Sequence, residues 1–96
     1  MYNNMRKIYL KNQPMFSMAV AYLLDIGFHT VRCLTDEEIS GMEGNGLMTA
    51  EFVQGIATMA RSIAEECGNN VVELIQFCQA EDVFDTEWYK GDEYDD

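Results

Sequence analysis

The last sixteen residues of the chain, EDVFDTEWYKGDEYDD, combine densely spaced carboxylates with large aromatic rings. A tail that only improves solubility needs no aromatic side chains, and a segment that only folds needs no such carboxylate density. The composition therefore predicts a binding segment whose charge attracts a cation or a basic surface. Its acidic residues are Glu81, Asp82, Asp85, Glu87, Asp92, Glu93, Asp95 and Asp96.

The spacing of these carboxylates depends on the conformation of the segment. As a helix, residues 81–96 would span about 24 Å and would place roughly one carboxylate every 3 Å. One DNA strand carries a phosphate charge about every 3.4 Å along the helix axis. An extended chain would double the carboxylate spacing. A helical or folded segment would therefore imitate a row of phosphates, although Lys90 and Gly91 argue against a continuous helix beyond Tyr89.

Trp88 and Tyr89 are the candidate anchors of this segment. Aromatic side chains at the centre of an interface supply much of the binding energy, and they also stack on arginine. Carboxylates around them would accelerate association with a basic groove. The alternative is that Phe84 and Trp88 fold back onto the protein's own core, because large aromatic rings are readily buried.

Asp36, Glu37 and Glu38 form a second acidic cluster, which we expect to be a secondary binding patch. Over the whole chain, 17 acidic residues face 6 basic ones, and the formal net charge is −11. Such a surface repels nucleic acid and anionic membranes, so we expect no direct binding to either. A solvated helix surface would explain any single cluster, but basic residues at helical spacing are scarce. The expected partner is a basic protein surface.

The chain offers few residues for catalysis or metal binding. His29 is the only histidine, and the spacing of Cys33, Cys67 and Cys78 matches none of the usual zinc motifs. The loop GMEGNGLMTAEF resembles a calcium loop, but glycine occupies its first ligand position and Glu51 falls one residue short of its last. A tight turn suits this loop better. We expect no catalytic residue, metal or cofactor; an enzyme or metal protein using His29 and a cysteine is a third alternative.

Apolar periodicity predicts the elements that would carry these residues. Two short strands are predicted at 5–11 and 28–34, flanking a long helix that starts near Pro14 and ends at Gly27. Further helices are predicted after the N-cap residues Thr35 (in a capping box with Glu38), Thr49 and Asn70. The expected fold is helix-dominated α+β, with three to four helices and a small two-stranded sheet. An all-α fold is the alternative.

Length and composition bound the organisation of the chain. Ninety-six residues suit one globular domain, 1–80, followed by the acidic aromatic segment 81–96. The first long helix is apolar nearly all round, so a homodimer or another partner would be needed to complete its burial. Its apolar run is too short for a membrane span and lacks a signal-peptide cleavage site. Together with an odd number of cysteines, these features predict a cytoplasmic protein.

The size, the charge and the acidic aromatic tail resemble those of small acidic proteins that phages and mobile elements use against host nucleic-acid enzymes. That group includes DNA mimics, anti-restriction proteins and anti-CRISPR proteins. The resemblance implies a non-enzymatic inhibitor that blocks the DNA or RNA site of a basic nucleic-acid-binding protein, in the host cytoplasm if the protein is phage-encoded. The alternative is an interaction or adaptor protein that binds through an apolar helical face, to which its seven methionines are suited, with the tail as an accessory.

Overall fold

The computed structural model describes residues 3–68, 70–81 and 83, and these residues form six helices. No β-strand occurs in these ranges. The α+β prediction is therefore wrong, and the all-α alternative fits. The helices are α1 (Asn3–Lys11), α2 (Gln13–Ile26), α3 (Phe28–Arg32), α4 (Asp36–Ser40), α5 (Ala50–Glu66) and α6 (Val71–Ala80).

Residues 5–11, predicted as a strand, lie in α1. Met5, Ile8 and Tyr9 follow the i, i+3, i+4 spacing of one helical face, and all three belong to or pack against the core. A strand would instead have placed Leu10 beside Ile8 on the buried face, but Leu10 is 58% exposed. The helical conformation is favoured because it places three apolar side chains, Met5, Ile8 and Tyr9, at the core, whereas the strand would place only Ile8 and Leu10 there.

Residues 28–34, also predicted as a strand, form α3 and the turn that follows it. Gly27 ends α2 with a φ of 98°, a conformation that favours glycine, and the chain turns there directly into α3. α3 packs against both α2 and α5, and Val31 is fully buried. The β-propensity of Thr30 and Val31 is worth at most about 1 kcal/mol, which tertiary packing readily outweighs.

The predicted helix starts are confirmed. Residues 12–14 begin α2, and Thr35, Thr49 and Asn70 are the N-caps of α4, α5 and α6. Each side-chain oxygen of a cap satisfies a backbone N–H that has no partner within its helix. The side chains of Asn12, Thr35, Thr49 and Asn70 accept from the N–H groups of Met15, Glu38, Phe52 and Glu73, each at 3.1 Å.

The core is arranged around the packing of α2 against α5. Three alanines and two isoleucines of α5 are buried, and the small residues let α2 approach closely. Four residues of α2 are also buried, while Met18 on the same helix is 42% exposed. α2 is therefore not enclosed all round within one chain. None of the described helices combines the length and the hydropathy that a membrane span needs.

An aromatic cluster joins α6 to α1 and α2. The ring of Tyr9 meets the rings of Phe16 and Phe77 edge-on, with centroid distances of 5.3 Å and 6.3 Å. Phe16 and Phe77 lie 5.9 Å apart and are fully buried. Rings at these distances attract one another beyond the effect of burying their area. Phe77 thus attaches the last described helix to the first two.

We expect Phe77→Ala to lower the free energy of unfolding by about 3–5 kcal/mol, because it removes a buried ring and leaves a cavity. A small domain has a total stability of about 5–15 kcal/mol, so the variant would be marginally folded. The matched control is Val72→Ala on the same helix, where Val72 is 59% exposed and a change within about 0.5 kcal/mol is expected. Urea unfolding followed by circular dichroism measures both, and equal losses would contradict this account of α6.

Candidate partner-binding surface

Four of the thirteen predicted site residues lie in the described part of the chain. Asp36, Glu37 and Glu38 form the first turn of α4, and Glu81 follows α6. No hydrogen bond or ion pair among the described residues connects Glu81 to the α4 cluster. The other nine predicted residues lie outside the described residues, as does Phe84, and their role stays a prediction. They are Asp82, Asp85, Glu87, Trp88, Tyr89, Asp92, Glu93, Asp95 and Asp96.

Glu38 has a structural role at the start of α4. Its Oε1 accepts a hydrogen bond from the backbone N–H of Thr35 at 2.9 Å, while Thr35 Oγ1 accepts from the N–H of Glu38. This is the reciprocal capping box that the sequence predicted. Carboxylates in the first turn of a helix also interact favourably with its positive end. The stability of α4 therefore explains part of this acidic cluster without a partner.

Asp36 also has an internal partner, Arg61 of α5. The Arg61 guanidinium donates to Asp36 Oδ1 and to the backbone carbonyl of Leu34, both at 2.6 Å. The half-buried Arg61 side chain thus reaches from α5 towards α4. The Asp36 side chain remains 89% exposed, although its charge is offset by that of Arg61. Glu37 is the one carboxylate of the cluster without a hydrogen bond or ion pair to a described residue.

Glu81 fixes the beginning of the C-terminal segment against α1. Its carboxylate forms an ion pair with the Arg6 guanidinium, and its side chain is only 21% exposed. Val83, two residues later, packs against the hydrophobic core. Glu81 is therefore placed less favourably for a partner than the sequence predicted, because its charge is already paired within the chain.

The described surface is acidic even without the tail. It contains ten acidic and five basic residues, a net charge of −5, and only Arg6 and Arg61 form ion pairs with a described acid. Most of the carboxylates therefore face solvent without a neighbouring cation, which costs stability through mutual repulsion. Eight of the ten acidic residues are exposed: Asp25, Asp36, Glu37, Glu38, Glu43, Glu51, Glu65 and Glu66.

Two methionine-lined grooves flank α5. The groove between α1 and α5, named here the α1–α5 groove, has a volume of about 450 Å³ and contains the side chains of Met15 and Met59. The α2–α5 groove has a volume of about 350 Å³ and contains Met18 and Met48. Methionine adapts its shape to different ligands, so such surfaces suit protein or aromatic partners. The methionine count was the only sequence signal for these grooves, because their walls come from helices distant in sequence.

The glycine-rich loop between α4 and α5 is held by its own hydrogen bonds. Asn45 Oδ1 accepts from the N–H groups of Leu47 at 2.7 Å and Met48 at 3.0 Å. A Cβ atom at Gly44 would lie 2.0 Å from the carbonyl oxygen of Met48, so this position requires glycine. Residues of this loop line one side of the α2–α5 groove. The Asn45 side-chain oxygen already accepts two backbone hydrogen bonds within the loop.

The thiols divide into one exposed and two buried groups. Cys33 is exposed, and its Sγ lies 3.6 Å from Nε2 of His29, one turn earlier on α3. Cys67 and Cys78 are buried. Burial, together with the nearby Cys67 thiol, raises the pKa of Cys78 from 9.0 to about 12. The described residues contain no group of three or more side chains placed to hold a metal ion.

Comparison with known proteins gives no relative. No protein-family model, no curated protein and no solved structure matches this chain.

The two neighbouring carboxylates of α4 allow a paired stability test. We expect Glu38→Ala to lower the free energy of unfolding by about 0.5–1.5 kcal/mol, because the N–H of Thr35 loses its acceptor. Glu37→Ala should change it by less than about 0.5 kcal/mol, the effect of one exposed charge on the helix dipole. Urea titration of both variants measures the difference. Equal effects would mean that the capping box does not stabilise α4.

The three thiols should react in two stages with a thiol-specific disulfide reagent. We expect one equivalent, from Cys33, to react in the native protein, and two more only after denaturation. With a pKa near 12, roughly one Cys78 side chain in ten thousand is ionised at pH 8, and the thiolate is the reactive form. Cys33→Ser should abolish the native reaction and leave the other two. Rapid reaction of two or more thiols in the native protein would contradict their burial.

Proposed function

We propose that this protein is a non-enzymatic acidic inhibitor that acts in the cytoplasm. Its target would be a basic nucleic-acid-binding protein, such as a host defence or nucleic-acid enzyme, whose DNA or RNA site it occupies. One observation carries the proposal: eight carboxylates of the described surface are exposed, and among the described residues only the ion pair of Asp36 with Arg61 offsets any of them. The tail adds seven acidic residues beyond the described ones and a single lysine.

The mechanism proposed is charge mimicry with aromatic anchoring. The carboxylates would attract a groove that is lined with lysine and arginine, and they would accelerate association. Trp88 and Tyr89 would then supply the buried contacts that slow dissociation of the complex. Since both partners would release counterions, the affinity should fall steeply with salt, as it does for phosphate binding. Neither a catalytic residue nor a cofactor has a part in this mechanism.

Internal partners distinguish the candidate binding carboxylates of the described surface from one another. Glu81, Asp36 and Glu38 already have partners within the chain, which makes them weaker candidates than Glu37. A charge that is already paired gains less from a second cation. The proposal therefore rests mainly on the C-terminal segment, with Glu37 as a subsidiary contact.

Affinity capture tests the proposal. The immobilised full chain would be incubated with nuclease-treated host lysate and eluted with increasing salt. We expect a basic nucleic-acid-binding protein to elute at moderate salt, and the purified chain to displace DNA or RNA from it. A captured protein that is not basic and that resists high salt would contradict charge mimicry.

A pair of charge variants tests which carboxylates bind. Replacing Asp85, Glu87, Asp92 and Glu93 by Asn or Gln should abolish capture, because it removes half of the segment's acidic charge. The matched control replaces four exposed carboxylates elsewhere, by D25N, E51Q, E65Q and E66Q, with the same change in net charge. The control should retain capture with only a modest loss from long-range attraction. Unchanged capture by the tail variant would refute the proposed role of the segment.

The two methionine-lined grooves favour a second candidate function, an interaction or adaptor protein that binds through an apolar helical surface. In that case the partner would occupy one of the grooves and the tail would be accessory. The partner would then resist salt, and the tail variant would bind normally. Met18→Asp, in the α2–α5 groove, should disrupt this kind of binding and leave charge mimicry intact, because Met18 already faces solvent.

A further inference from the structure

The α1–α5 groove and the start of the C-terminal segment both border α1. Glu81 is paired with Arg6 on α1, and Val83 packs on the core. The groove is lined by Ile8 and Lys11, at the far end of the same helix. From Arg6 to Lys11 the helix advances about 7.5 Å. At about 100° per residue, Arg6 and the two groove residues lie on different sides of α1, so residues 84–96 begin beside the helix that borders the groove and would cross its outer face to enter.

The charges around this groove are complementary to the segment. α1 carries Arg6, Lys7 and Lys11 and no acidic residue, in a protein of net charge −11. Lys7 and Lys11 are exposed i, i+4 neighbours, and neither forms an ion pair with a described acid. Like charges at this spacing repel, so a nearby carboxylate would stabilise the helix. The segment 84–96 is the richest source of such carboxylates in the chain.

The interior of the groove suits an aromatic ring. Met15 and Met59 lie in its walls, and thioether sulfurs make favourable contacts with aromatic rings. At Gly55 an added Cβ would lie 2.9 Å from Met15 Cε, so the Met15 thioether packs directly on the backbone of α5 and lines the groove there. A volume of about 450 Å³ is within the range that encloses small aromatic ligands. The Lys11 ammonium at the rim can also approach the face of a bound ring.

The length of the segment selects which ring can enter. Phe84 directly follows Val83 and extends the chain by only about 3.5 Å, which is less than the width of the helix between Arg6 and the groove. Trp88 is five residues from Val83, and an extended chain of that length reaches about 17 Å. Since a helix is about 10–12 Å across, a segment of that length can cross the outer face of α1, where the acidic residues on both sides of Trp88 would pass Lys7 and Lys11.

We propose that residues 84–96 dock on their own molecule, with Trp88 in the α1–α5 groove and their carboxylates beside Lys7 and Lys11. The docked segment would fill an apolar groove and neutralise two cations that the described residues leave unpaired. This inference concerns the free protein and does not depend on the proposed inhibitory function. If the docking and the inhibitory function are both correct, α1 competes with the partner for residues 84–96. Only a partner surface more basic than α1 would then displace the segment from the groove.

The fluorescence of Trp88 tests the docking directly, because it is the only tryptophan in the chain. In the purified full chain at low salt, we expect short-wavelength emission and protection from acrylamide, both lost in denaturant. Thr58→Glu places a carboxylate in the groove at an exposed position of α5. It should shift the emission to longer wavelength and raise the quenching constant towards the denatured value. Gln76→Glu, exposed on α6, adds the same charge elsewhere and should change neither.

A second pair of variants guards against a folding defect. Lys11→Glu removes the rim cation, and Arg32→Glu makes the same charge change on α3, where Arg32 is exposed. Circular dichroism should be unchanged in all four variants, and only Thr58→Glu and Lys11→Glu should expose Trp88.

Wild-type emission equal to that of the denatured chain would overturn the docking. Protection that both groove variants leave intact would overturn its location, and protection lost on dilution would assign the groove to a second copy. None of these measurements involves a partner, so their failure leaves the proposed function untouched.

Discussion

The burial of one face of α5 is the constraint on which the rest of the structure depends. α5 is the longest described helix, and α1, α2, α3 and α4 all pack against it. Its buried alanines are small enough for α2 to pack closely against it. The shorter helices α1, α3 and α4 also pack against α5. In so small a domain no second core can compensate for loss of this one. Each functional feature on the described surface is consequently placed by its relation to α5: the two grooves, the Arg61 contact and the acidic turn of α4.

Arg61 illustrates how the same helix organises charge. Its guanidinium donates to the carbonyl of Leu34 and to Asp36, so one side chain joins α5 to the chain between α3 and α4. A cation used in this way is unavailable to offset the other carboxylates. Arg6 is similarly used to hold Glu81 against α1. Both arginines with internal partners connect separate parts of the fold, and the ten acidic against five basic described residues leave a surplus of carboxylates beyond these pairs.

The two grooves expose apolar methionine side chains, and residues 81–96 carry a dense row of carboxylates. Both features gain free energy when a suitable group covers or approaches them. Water-exposed methionine side chains in a groove gain free energy when an aromatic ring covers them. The carboxylates gain when a cation comes close. The proposed docking of residues 84–96 beside α1 would satisfy both needs within one molecule, while the proposed basic partner would satisfy the second at higher charge density. The balance between the two depends on salt, because the electrostatic contribution weakens with ionic strength and the apolar contribution does not.

Local signals in the sequence determined where most helices begin. The caps at Asn12, Thr35, Thr49 and Asn70 act through hydrogen bonds within three residues, so residue type and spacing suffice to predict them. Composition alone likewise determined the net charge, and hence the class of partner proposed. The two predicted strands are wrong because β-branched residues and alternation give only a weak preference for strand. The packing of Met5 and Val31 into the core favours helix in those segments.

Only the tertiary structure could show that Asp36 and Glu81 already have partners, since Arg61 and Arg6 lie far from them in sequence. The grooves were likewise beyond sequence analysis, because a cavity is a property of the space between helices and no single helix encodes it.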